Sequence, residues 1–267
     1  MRVASLIVVV ALVLGAGVDF ARSQTGPTPL IHAHAHNDYL HARPLRDALS
    51  HGFCSVEADI FLVDDQLLVA HNLKDTKTGR TLQKLYLDPL RERVKQNGGR
   101  VFPNGPEFTL LIDLKTDWTN TYPALRSVLT NYANVLTTFR GDDKQTNAIT
   151  VIVSGNRDKK MFVDETVRFA CYDGTPDDLD SATSANMIPW ISADWKKQFT
   201  WDGSEEMSSA EKQKLAEFVG KAHRHGRRVR FWGTPDTPQV WRTLLDAEVD
   251  LINTDVLAGL EKVLRSR

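Results

Sequence analysis

The feature that most constrains this chain is the recurrence of short apolar runs, rich in β-branched residues, separated by stretches with helical periodicity. Strands are predicted over Leu30 to Ala35, Ser55 to Leu62, Thr109 to Lys115, Ala148 to Ser154, Arg168 to Tyr172, Met187 to Ser192, Arg228 to Trp232 and Leu251 to Thr254. Helices are predicted over Thr81 to Lys95, Tyr122 to Asn131, Ser208 to His225, Pro238 to Ala247 and Val256 to Arg265. The fourth of these has Thr237 to cap it and Pro238 at its first position, where a missing N–H costs nothing. A ninth apolar piece, Leu67 to Ala70, follows Asp64-Asp65 so closely that it reads as a hairpin return off the second strand. Strand and helix in alternation call for a parallel sheet, and eight strands in a chain of this length favour a closed (β/α)8 barrel of TIM type over an open sheet. The long stretch between His71 and Thr109 reads as a loop plus helix covering one rim. No repeat or linker marks a second domain.

Two further readings bound the chain. Residues 1–23 have a basic start, an uncharged apolar run from Val3 to Val18, and small residues Ala21 and Ser23, which is the pattern of a cleaved signal peptide. The run is shorter than the ~20 residues needed to span a bilayer, so the expectation is a secreted or periplasmic barrel of residues 24–267 with no lasting membrane anchor. The 33 basic and 34 acidic residues leave a net charge of −1, which excludes a strongly basic nucleic-acid binder. Phosphate chemistry then has to come from a local site. Cys54 and Cys171 are read as separate core residues and not as a bridge.

In such a barrel the chemistry sits at the carboxyl ends of the strands. Glu57 and Asp59 are two apart in Ser55-Val56-Glu57-Ala58-Asp59, so both carboxylates share one strand face, as do Asp113 and Lys115 in Leu111-Ile112-Asp113-Leu114-Lys115. Like charges inside a barrel are too costly unless a cation neutralises them. Glu57, Asp59 and Asp113 together make a hard-oxygen site suited to Mg2+ or Ca2+. Histidine is the side chain best able to exchange a proton near neutral pH, which phosphodiester cleavage needs twice. His71 follows the hairpin, while His32, His34, His36 and His41 all lie near the first strand end, and residue types alone do not choose among them. His223 and His225, with Arg224, Arg227 and Arg228 at a helix end, read as structural surface.

The order of motifs narrows this. His36-Asn37-Asp38-Tyr39, Gly52 to Asp59 as GFCSVEAD, Leu68 to Asn72 as LVAHN, Leu85 to Leu90, Arg230 to Asp236 as RFWGTPD, and Val249 to Asp255 as VDLINTD resemble the glycerophosphodiester phosphodiesterase and phospholipase-C-like superfamily. Within it they are most similar to the branch named for altered inheritance of mitochondria. The resemblance implies a TIM-type barrel and one divalent cation on Glu57, Asp59 and Asp113. It further implies acid–base work by His36 and His71, Lys115 at the phosphate, Asn37 at the substrate and Trp232 closing over it. The His-Arg-Gly and Glu-Asn-Thr of typical glycerophosphodiesterases are missing here, and the Asn near the first histidine is more like the sphingomyelinase D relatives.

The expectation is a monomeric, metal-dependent phosphoric diester hydrolase acting on a glycerophosphodiester or phospholipid-type substrate. An amidohydrolase-like metal site on His32-Ala33-His34-Ala35-His36 is one alternative, yet no histidine lies between His71 and His223 to complete it. A non-catalytic binding barrel is the other.

Overall fold

The computed structural model describes residues 26–267. The proposed leader, residues 1–23, lies outside them. Among the described residues eleven strands run in chain order: β1 (Leu30–Ala35), β2 (Phe53–Val63), β3 (Gln66–Val69), β4 (Phe108–Leu114), β5 (Thr138–Arg140), β6 (Asp143–Gln145), β7 (Ile149–Gly155), β8 (Ala170–Gly174), β9 (Trp190–Asp194), β10 (Arg228–Trp232) and β11 (Leu251–Thr254). Eight of them are parallel neighbours in the order β1, β11, β10, β9, β8, β7, β4, β2, and β1 pairs with β2 to close the ring. The (β/α)8 barrel expected from the alternation is therefore the fold, and β1, β10 and β11 begin and end where the apolar pattern puts them.

Alternation along each strand divides the core in two. Outward residues such as Val56, Ala58 and Ile60 of β2 join a large cluster against the surrounding helices. Inward ones, Leu111, Ile152, Cys171, Trp190 and Leu251, form a small cluster together with Phe139 from outside the barrel sheet. Cys54 belongs to the first cluster and Cys171 to the second, and both are buried free thiols, as expected of separate core residues.

The hairpin return is also as expected. β3 runs antiparallel to the upper part of β2, from Ile60 opposite Val69 to Val63 opposite Gln66. Asp64 and Asp65 both take positive φ, 46° and 60°, the backbone that a two-residue hairpin turn requires and that Asp tolerates. The rim segment after His71 carries a wide π-type turn over Gln83–Leu87 that runs into a helix over Asp88–Gln96. Pro89 at its start has no N–H to close a regular turn, which accounts for the widening.

Two features were not anticipated. β5 and β6 form a separate hairpin whose Phe139 joins the inner cluster and exchanges backbone hydrogen bonds of 3.0 and 2.9 Å with Arg168. Both lie just before strands β7 and β8, so Phe139 plugs the end of the barrel opposite the strand tips. Arg227, expected at the surface, is instead 1% exposed: it donates to the carbonyls of Asp178, Leu179, Ser181 and Thr183 and pins the loop after β8. A guanidinium has enough donors to satisfy several carbonyls at once, which makes its burial tolerable.

Candidate active site

β2 presents Glu57 and Asp59 inward, and β4 presents Asp113 directly beside Asp59 in the strand register. One oxygen from each of the three carboxylates falls within 4.8 Å of the others. Gly155, at the tip of β7 opposite Leu114, makes this approach possible. Its φ is 73°, and a Cβ there would collide with Asp113 Oδ1 and Leu114 O.

Burial and mutual repulsion shape this group. Burial, then the charges of Glu57 and Asp113, push Asp59 up to about 7. Asp113 is raised too, by burial, against the pull of Lys115. Lys115 Nζ lies 3.0 Å from Asp59 Oδ2 and 3.4 Å from Asp113 Oδ1. Burial works to strip the Lys115 proton, but the two carboxylates outweigh it and hold the ammonium charged. Glu57 behaves oppositely: burial alone would raise it, yet the Arg230 guanidinium, 2.8 Å from Oε2, keeps it well below the usual carboxylate range.

Asp59 Oδ1 is buried without a hydrogen-bond partner, and Asp113 Oδ1 has only the Lys115 ammonium, 3.4 Å away. Orphaned carboxylate oxygens of this kind are costly unless a cation takes them up. Three hard oxygen donors facing one point therefore fit a divalent ion of the Mg2+ or Ca2+ class.

His36 follows β1 directly. Its Nδ1 faces Asp255 Oδ1 at 3.0 Å. Burial would lower its pKa, but the hydrogen bond to Asp255 together with the charges of Glu57 and Asp255 outweighs this and raises it. Nε2 is left as the free ring nitrogen. Asn37 takes a left-handed backbone, φ 46°, and its Nδ2 lies 3.4 Å from Asp255 Oδ1. The Tyr39 hydroxyl stands 2.6 Å from both Asn37 Oδ1 and Asp59 Oδ2, and 3.0 Å from His71 Nδ1. His71 stacks at 22° on the Tyr39 ring with its side chain 53% exposed. Tyr39 thus ties the two histidine loops to a carboxylate of the acidic group.

Trp232, 39% exposed at the tip of β10, shares a cavity of about 320 Å³ with His36, Glu57, Asp113, Lys115 and Arg157. All eight residues singled out from the sequence are at this end of the barrel. Six of them meet directly or across that cavity, while Asn37 and His71 join through Tyr39. The three histidines of β1 and its tip are separated by height, which the sequence could not show. His32 bonds the Asp250 carbonyl at the opposite end of the barrel, His34 is fully buried, and His36 reaches the mouth. His34 is driven down to about 4 by burial and then by Arg230, and both its ring nitrogens are engaged, Nδ1 by Ser55 Oγ and Nε2 by Arg230 Nη1, so neither is open to a metal.

Sequence reasoning missed Tyr39 and Arg230 as parts of the site. A signal existed for Arg230, since Arg228-Val229-Arg230-Phe231-Trp232 places it on the same strand face as Trp232.

Comparison with known proteins shows the family. The AIM6-like phosphodiesterase domain matches residues 23–173, and the glycerophosphoryl diester phosphodiesterase family matches residues 228–258. Altered inheritance of mitochondria protein 6 of Eremothecium gossypii is 31% identical over 87% of this chain and 69% of its own length. A homolog of that protein from Arthroderma benhamiae is 30% identical over 84% of this chain and 81% of its own. A glycerophosphodiester phosphodiesterase from Parabacteroides distasonis shares the fold, with a TM-score of 0.53, 17% identity, and coverage of 90% of this chain and 99% of that one. The relatives' names correct the secreted or periplasmic location, since they point to mitochondria and not to export. An apolar N-terminal run reports hydrophobicity and carries little about destination. By the extent of these matches, the chain belongs to the AIM6-like phosphodiesterase family, a branch of the glycerophosphodiester phosphodiesterase-like superfamily.

Proposed function

We propose that this protein is a metal-dependent phosphoric diester hydrolase acting on a glycerophosphodiester or phospholipid-type substrate. The observation that carries the reading is the buried, partnerless Asp59 Oδ1 converging with Glu57 and Asp113, with His36 and His71 on the adjoining loops. Glu57, Asp59 and Asp113 would hold the ion, and a bound Mg2+ or Ca2+ supplies positive charge against the non-bridging phosphate oxygens. Lys115 adds a second positive charge at the same place. Trp232 covers the apolar part of the substrate, and Asn37 orients the His36 loop beside it. His36, whose proton is favoured by Asp255, protonates the leaving alkoxide. His71, half exposed and steadied at Nδ1 by Tyr39, accepts the proton of the attacking hydroxyl, whether from water or from a neighbouring OH of the substrate.

The test is a panel of glycerophosphocholine, a lysophospholipid, sphingomyelin and phosphatidylinositol, with products identified, before and after chelation and cation add-back. His36→Ala and His71→Ala should each lower turnover by about 10²- to 10⁴-fold while leaving the fold intact. A variant with full rate would remove that histidine from the mechanism, and no hydrolysis of any of the four substrates by the wild type would favour a binding barrel.

A further inference from the structure

The carboxylates at the mouth need a counter-charge, and part of it is built into the barrel. Arg230 of β10 is 4% exposed and lines the same cavity as Glu57 and Asp113. Its Nη1 donates to Glu57 Oε2 at 2.8 Å and to His34 Nε2 at 2.8 Å, and Asn253 Oδ1 lies 3.2 Å away. Its Nε donates to Ser192 Oγ at 3.1 Å. Arginine has only donors, so His34 Nε2 accepts and the His34 proton sits on Nδ1, where it is given to Ser55 Oγ at 2.7 Å. Every group around the guanidinium is thus fixed in direction, and the whole set is buried.

We infer that Arg230 is a positioning residue for the metal site. It grips Glu57 by one oxygen, Oε2, and so fixes the carboxylate with Oε1 free to act as a ligand alongside Asp59 and Asp113. A flexible glutamate could otherwise swing away from two aspartates that repel it. Neighbours that orient a ligand commonly govern metal affinity as strongly as some ligands do. The fork matters as well as the charge, because one ammonium could not hold Glu57, His34 and Ser192 together. The inference rests on the metal reading above, and its test separates the two.

The experiment is Mn2+ binding to the full-length protein followed by electron paramagnetic resonance, Mn2+ being a hard cation that suits carboxylate sites. Arg230→Met should weaken binding by about 10- to 100-fold. Arg230→Lys should give an intermediate loss. In a Glu57→Gln background, neither change should weaken binding further, because the oxygen that Arg230 orients is gone. If Arg230→Met fails to fold with Glu57 left uncompensated, Arg230→Lys carries the comparison in both backgrounds. Unchanged affinity, tighter binding from removal of a repelling charge, or an equal loss with Glu57→Gln would each overturn the role of Arg230. A wild type that binds no Mn2+ overturns the metal reading and this inference with it.

Discussion

Asp59 couples stability, pH and metal. Its carboxyl titrates near 7 in the folded protein against 3.8 for an ordinary aspartate, because it is buried beside Glu57 and Asp113. Between those two values the folded state holds a proton that the unfolded chain has lost, so stability falls as pH rises. At about 1.4 kcal/mol per pKa unit the full window is worth about 4 kcal/mol, and the part between pH 5 and 7 about 3 kcal/mol. For a chain of this size that is on the order of 10 °C in Tm. A divalent cation needs the ionised carboxylate, so at pH 5 it must displace the proton and at pH 8 it need not. Thermal unfolding at fixed saturating Mg2+ or Ca2+, against chelator, should therefore show a stabilising increment that grows from pH 5 to about 7 and then levels. Asp38, also pushed up to about 7 by burial, adds the same slope in both conditions and cancels in the difference. Asp59→Asn should raise the metal-free stability at pH 8 and reduce the pH dependence of the increment to the part that Asp113 contributes. An increment equal at pH 5 and pH 8 would refute the reasoning.

Other consequences follow from single contacts. Gly155→Ala should cost about 2 to 4 kcal/mol in chemical denaturation, because it combines a left-handed backbone with a clash against Asp113 Oδ1. It should also weaken cation binding in calorimetry, since Asp113 must move. Tyr39→Phe should leave the fold in place by circular dichroism, yet lower kcat about tenfold or more with little change in KM. Asn37, Asp59 and His71 would lose the hydroxyl they share.

The barrel was readable because strand signals are local. A period of two with β-branched residues marks a strand wherever it lies, and it marked all eight barrel strands and the β3 return. The same local rule put Glu57 with Asp59 and Asp113 with Lys115 on shared faces, and the structure brings the two pairs together. The β5–β6 hairpin escaped because Thr138–Arg140 and Asp143–Gln145 are short, and the second is fully exposed, with no apolar pattern to reveal it.

What the sequence by itself determined was which residues are strands and which side chains share a face, since both are set by the geometry of neighbouring peptides. Only the tertiary structure decided height and opposition inside the barrel. His34 pairs in register with Ser55 and Asn253, which sinks it below the mouth and leaves His36 as the histidine that reaches the cavity. Arg230 meets Glu57 across the interior although 173 positions separate them. Asp255, at the far end of the chain, sets the proton affinity of His36. Those relations depend on β1 closing against both β2 and β11, and no local periodicity encodes how far a closed sheet staggers its strands.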